Sequence, residues 1–245
     1  MMKKVMILKT KIMMASSKLK IPRKTNFWSV TPTPGPHKKE ESIPILIALR
    51  DYLKLGDKER EITRILNNGD VKIDGKIIKD RRFPVGFMDV ISIKSIDNTF
   101  IVLYDNKGKL IISANPEENN DVKLLRIKSK SIIEKGKIQL GFHNGHSMIT
   151  DRKDLKNDDT LLIKLPNMEI QDVLKMVPGN KAFIIGGSHV GEVGTIKSID
   201  INKSSGKNTV SFNEGFSTVK NYVFVIGNSK YSFKIPEKEV KVYDE

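Results

Sequence analysis

Cysteine is absent from the 245 residues, which excludes disulfides, thiolate-bound zinc and cysteine nucleophiles at once and fits a reducing cytoplasm. Tryptophan occurs once, at Trp28. No stretch approaches the roughly 20 consecutive apolar residues of a membrane-spanning helix. The opening Met1-Met2-Lys3-Lys4-Val5-Met6-Ile7-Leu8 starts like a secretory signal, but Lys9 and Lys11 cut its apolar core too short. Histidine is scarce, and His143 and His146 simply bracket Asn144-Gly145. With no third ligand nearby, that pair reads as a hairpin turn and not as a metal site. The glycines of 186–194 lack both the Gly-Lys-Ser/Thr ending of a phosphate-binding loop and the Gly-x-Gly-x-x-Gly spacing between strand and helix, so they do not predict a nucleotide site. No cofactor is expected.

Acidic residues are the minority charge. Forty-three Lys and Arg stand against 29 Asp and Glu, a formal net charge of +14 with a pI near 9.7. Such a surplus calls for a polyanionic partner, though basicity alone does not separate RNA from DNA or an acidic membrane surface. Residues 1–41 hold ten Lys and Arg against two Glu, whereas 42–94 hold eleven against eight. Most of the excess therefore lies in an N-terminal arm. Poor in acids and rich in proline, the arm is expected to order only against a nucleic-acid surface. Its Thr31-Pro32-Thr33-Pro34-Gly35-Pro36-His37-Lys38-Lys39 stretch cannot be helical, because prolines lack an N–H and hold the preceding residue extended.

Ile43 to Ile93 predicts a compact helix-hairpin module. Ser42 is a plausible N-cap for a helix over Ile43–Leu53 ended by Gly56, and Pro44 would sit harmlessly in its first turn. Asp57 would cap a second helix in which Ile62, Ile65 and Leu66 recur at helical spacing, with Gly69 as its stop. Val71-Lys72-Ile73 and Lys76-Ile77-Ile78 flank Asp74-Gly75, the signature of a two-residue hairpin turn. From Asp89 onward apolar residues alternate at period two, predicting strands at 89–94, 99–104, 109–113, 122–127, 137–142, 147–150, 159–165, 169–176, 209–212, 217–220 and 222–226. The fold class expected is α+β, mostly β.

Ile73-Asp74-Gly75-Lys76, followed by Pro84-Val85-Gly86-Phe87-Met88-Asp89-Val90-Ile91 and preceded by Thr33-Pro34-Gly35-Pro36-His37-Lys38, resembles the small-subunit ribosomal protein family S-four-e of archaea and eukaryotes. Pro178 to Ile196 resembles the KOW motif, a small β-barrel element of ribosomal proteins and elongation factors, and Tyr222 to Gly227 also resembles the family's sequence. The resemblance implies an arm at 1–41, an S-four-type RNA-binding module at 42–94, an all-β domain at 95–176, an SH3-like KOW barrel at 177–227 and a tail at 228–245. The tail lacks the basic extension associated with eukaryotic members, which points to an archaeal-type protein.

The implied role is a non-enzymatic, structural constituent of the small ribosomal subunit that binds ribosomal RNA and meets neighbouring ribosomal proteins in the cytoplasm. The residues expected to meet RNA are Lys18, Lys20, Arg23, Lys24, Trp28, His37, Lys38 and Lys39 in the arm, with Arg50, Lys54, Lys58, Arg60, Arg64, Lys72, Lys76, Arg81 and Arg82 in the module. Trp28 could stack on a base or anchor the arm. Because family members begin close to a segment like Ser17-Lys18-Leu19-Lys20, residues 1–13 read as an upstream extension, with Met14 as a possible start. An RNA-modifying enzyme with an S-four-type module, or a transcription elongation factor with a KOW element, are the alternative readings. The first needs a catalytic domain after residue 94 that the strand pattern does not offer. The second leaves the hairpin module and the Pro-Gly-Pro-His strap unexplained.

Overall fold

The computed structural model describes residues 9–116, 119, 121–133, 136–202, 206–229 and 231–236. The chain forms two compact units, one of residues up to Leu103 with Lys109–Asn115, the other of Tyr104–Gly108 with Pro116–Ile235.

In the first unit β1 (Lys9–Lys11) pairs antiparallel with β2 (Trp28–Val30), setting Lys11 opposite Trp28. Ile12 and Leu19 are buried, and the N–H of Leu110 donates to the carbonyl of Lys18. The described part of the arm is thus packed onto its own unit, contrary to the expectation of a segment that orders only on nucleic acid. Leu19 supplies the apolar anchor that the composition of the arm as a whole concealed. Of the expected upstream extension, residues 1–8 lie outside the described residues and 9–11 form β1.

Residues 43–44 correct the helix expected over Ile43–Leu53. Ser42–Pro44 is β3, fully buried and paired with β6 (Pro84–Gly86) in the register Ile43 to Val85. Helix begins only at α1 (Ile45–Ile47) and passes into a π turn over Ala48–Tyr52. The orphan N–H groups of Ile45 and Leu46 donate to the carbonyls of Phe83 and Arg81. Tertiary partners therefore satisfy the helix start in place of a Ser42 cap. Leu53 closes the helix, ahead of the expected Gly56, and Lys54 turns the chain with a φ of 50°.

In α2 (Glu59–Asn68) Ile62 and Leu66 are buried, and Gly69 ends it with a φ of 80°. Lys58, and not Asp57, is the N-cap residue; Glu61 reaches back so that its carboxylate accepts from the N–H groups of Asp57 and Lys58. Next, β4 (Val71–Ile73) and β5 (Lys76–Ile77) form the expected hairpin, Asp74 and Gly75 taking φ of 51° and 78°.

A five-stranded sheet completes the unit in the order β5-β4-β7-β8-β9, with β7 spanning Val90–Ile93, β8 Asn98–Tyr104 and β9 Leu110–Ala114. The boundary expected between 94 and 95 thus falls inside a sheet. The short 94–97 turn lets β7 and β8 pair as neighbours, in the register Val90 to Ile101, and draws the next hairpin into the module.

The second unit carries two five-stranded antiparallel sheets. One runs β12-β11-β10-β13-β14, built from β10 (Val122–Ile132), β11 (Ile138–Phe142), β12 (Ser147–Thr150), β13 (Thr160–Lys164) and β14 (Glu169–Leu174). Leu125, Ile127, Leu140, Phe142, Leu161 and Ile163 form its core. The other runs β18-β17-β16-β15-β19, built from β15 (Lys181–Ile184), β16 (Val193–Asp200), β17 (Thr209–Phe212), β18 (Ser217–Val219) and β19 (Val223–Gly227).

Arg126, on β10, joins the two sheets. Its guanidinium donates to the carbonyls of Asn221 and Val223 at 2.7 and 3.0 Å and to Asp158 at 3.0 Å, and Lys220 reaches the same carboxylate at 2.9 Å. Burial lowers the Arg126 pKa and the Asp158 charge opposes that shift, so the group stays cationic. His143 serves packing: its Nδ1 accepts from the Arg126 N–H and its ring meets Phe224 edge-on. The end of the described chain docks on the same unit, with Phe233 buried and its N–H donating to the Ile226 carbonyl.

Candidate nucleic-acid interface

The β4–β5 hairpin holds Lys72 and Lys76 in the open while Val71 and Ile73 face the core, because side chains alternate across a strand. Asp74 fixes the tip by accepting from the Val90 N–H at 3.1 Å. On α2, burial of Ile62 and Leu66 leaves Arg60 and Arg64 on the outer face. They line a groove of about 580 Å³ with Thr63, Asn67 and Arg81. Arg81 pairs there with Glu59, so its charge is partly offset. Lys54 and Lys58 are exposed close by in sequence.

In the arm Lys20, Lys24, Lys38 and Lys39 are exposed, whereas Lys18 is half-buried and 3.5 Å from Glu41. Arg23 braces its own segment by donating to the carbonyls of Ala15 and Ser16 at 3.0 and 2.7 Å. Trp28 is 54% exposed and Phe27 62%. Their rings meet edge to face with centroids 4.9 Å apart, and the Lys11 ammonium lies 5.5 Å from the Phe27 centroid. The anchoring role considered for Trp28 is taken by Ile12 and Leu19, which are buried as Trp28 is not.

Two expected contact residues are internal. The His37 side chain is 5% exposed, with Nε2 2.8 Å from the carboxylate of buried Asp89. That carboxylate also accepts from the Gly86 N–H at 2.9 Å, and the imidazole lies flush against Gly86, where a Cβ would stand 2.3 Å from Nδ1. Arg82 is buried, and its Nε donates to the Thr31 carbonyl at 2.9 Å. Both thus leave the exposed face: each clasps the proline strap to β6 and its flanks. Sequence reasoning missed the clasp because its acceptors, Asp89 and a backbone carbonyl, lie some 50 residues away along the chain. Arg50 is half-exposed and holds Asp51 through two bonds of 2.7 and 2.9 Å, which raises its pKa. Among the described residues no group of three or more His, Asp or Glu could hold a metal ion.

The first unit thus exposes Lys and Arg side chains on both the arm and the module, together with the Phe27 and Trp28 rings. The model of "Ribosomal family S4e" matches residues 96–170. The small ribosomal subunit protein eS4 of Picrophilus torridus is 60% identical over 95% of this chain and 98% of its own length. This chain belongs to ribosomal family S4e. The Thermoplasma acidophilum protein of the same name is 49% identical over 96% of this chain and 99% of its own, and these archaeal relatives mark the chain as the archaeal type. The crystal structure of the 30S ribosomal protein S4e from Thermoplasma acidophilum superposes with a TM-score of 0.71 at 48% identity, covering 80% of this chain and all of that one. The mostly β architecture with short helices is thereby the family's. No helix among the described residues is long and apolar enough to cross a membrane.

Proposed function

We propose that this protein is a structural constituent of the small ribosomal subunit, a non-enzymatic component of cytoplasmic ribosomes that binds ribosomal RNA during assembly and translation and meets neighbouring subunit proteins. The observation that carries the reading is the 60% identity, along nearly the whole chain, to the small ribosomal subunit protein eS4 of Picrophilus torridus. The residues assigned to RNA are the exposed set: Lys20, Lys24, Trp28, Lys38 and Lys39 in the arm, then Lys54, Lys58, Arg60, Arg64, Lys72 and Lys76 in the S-four-type module. Each phosphate they neutralise releases counterions, so affinity is strong, salt-sensitive and weakly dependent on sequence. Lys18, Arg23, Arg50 and Arg81 contribute less directly, since each is half-buried and holds a partner within the protein.

The β15–β19 sheet fits a KOW-like barrel. Gly191 and Gly194 sit where the chain runs against other atoms: a Cβ on Gly191 would stand 2.7 Å from Asn106 and one on Gly194 2.8 Å from Phe212. An arm at 1–41, a module at 42–94, a central β domain at 95–176, a barrel at 177–227 and a tail at 228–245 remain the proposed layout, except that the β8–β9 hairpin joins the module's sheet. Sucrose-gradient sedimentation of native lysate tests the function. Co-migration with free small subunits and whole ribosomes through a high-salt wash is expected; a purely unbound pool would overturn it.

A further inference from the structure

Each of the three five-stranded sheets ends in two edge strands, and five of these six edges are protected. Leu19 bridges β9, and Ser232 bridges β19. β5 is two residues long and carries Lys76, while β18 ends after three residues in the 3-10 turn Lys220–Tyr222. β14 holds Glu169 and Asp172, and its register with β13 shifts after Leu162. Short strands, charges, irregular register and covering segments are what keep an edge from pairing with another chain. Among the described residues β12 has no such protection. Its residues Ser147-Met148-Ile149-Thr150 are uncharged, contain no proline and pair with β11 without a register shift.

The Phe142 N–H donates to the His146 carbonyl at 2.9 Å and closes the β11–β12 hairpin. Hydrogen-bonded and non-hydrogen-bonded pairs alternate along an antiparallel ladder. Met148 and Thr150 therefore turn their backbone groups to β11, and Ser147 and Ile149 turn theirs to the open side. Both of the latter residues are exposed, Ile149 to 59%. Across the sheet Ile149 continues a row with Gln139 and Ser131, none of them charged. Lys130, in the neighbouring row, spends its ammonium on the carbonyls of Lys153 and Leu155 at 2.9 and 2.7 Å. Alternating backbone donors and acceptors on an uncharged strand call for an extended polypeptide. A phosphate brings acceptors only and finds no cation in this strand, and a second copy of the chain brings a further +14 of like charge. We propose that β12 is a docking edge at which an extended, uncharged segment of a neighbouring small-subunit protein adds as a sixth strand, its backbone paired with Ser147 and Ile149 and an apolar side chain set beside Ile149. This inference rests on the ribosomal reading above and gives the β10–β14 sheet a role within it.

Photo-crosslinking within assembled small subunits is the test. The full-length protein carries p-benzoylphenylalanine in place of Ser147 and is isolated in its subunits before illumination. A crosslink from this position to one stretch of one other subunit protein is expected. Adding Ile149→Lys, which sets a charge on the edge, should abolish that crosslink, whereas Ile149→Val should keep it. Filter binding of RNA by the Ile149→Lys protein, with affinity and salt slope as in the parent, verifies that the variant is folded. Crosslinks only to ribosomal RNA, only to a second copy of this chain or to no macromolecule would overturn the docking edge, as would a protein crosslink that survives Ile149→Lys. Failure of the parent protein to enter small subunits would instead strike the ribosomal reading, so the two failures are distinguishable.

Discussion

Asp89 and Gly86 show how much one small clasp decides. Asp89 is 2% exposed and lies against the His37 ring while accepting from the Gly86 N–H, so the basic end of the strap is set by a buried carboxyl group and not by its prolines alone. Gly86 is required by space: its Cβ would collide with three atoms of the imidazole. Gly86→Ala should therefore cost about 1–3 kcal/mol, the usual penalty of overpacking, read as a lower urea midpoint at unchanged m-value. Arg126 is the other residue on which much depends. In Arg126→Met two carbonyls lose their donor while Lys220 still neutralises Asp158. The loss should then lie near the lower end of the roughly 3–5 kcal/mol for a broken buried pair, and Arg126→Met with Lys220→Met should lose more than the sum of the two, measured by denaturant unfolding.

At the scale of elements, α2 and the β4–β5 hairpin are local structures whose residues agree with their shape. Gly69 sits at φ 80°, a conformation that costs an L-residue about 1–2 kcal/mol. Gly69→Ala should lower stability by roughly that much, visible as a fall in the thermal midpoint with RNA affinity intact once the protein is folded. The run from Ser42 to Leu53 behaves differently. Its helical spacing is legible, yet Ile43 and Pro44 are claimed by the strand Pro84–Gly86 some 40 residues further on. No local signal announces such pairing, and isolated helices of this length are marginal without tertiary contacts.

For the whole molecule, the charge balance along the chain concentrates the basic excess in the arm, whereas exposed lysines occur on both arm and module. Deleting residues 14–41 would remove β2 and buried Leu19 along with the charges, so point substitutions are the cleaner probe. Neutralising Arg60 and Arg64 together should reduce the log–log salt slope of RNA binding by about one unit for each phosphate that is no longer neutralised. His37→Gln should leave the slope as it is, since that ring faces Asp89. Filter binding across a salt series reads both.

By itself the sequence determined the need for a polyanionic partner, the hairpin and its turn, the second helix with its glycine stop, and most strands from Asp89 onward, because charge balance and residue periodicity are local and additive. Only the tertiary structure decided which cations face outward. Whether Arg82 or His37 meets a phosphate or a buried acceptor depends on Thr31 and Asp89, groups brought close by folding.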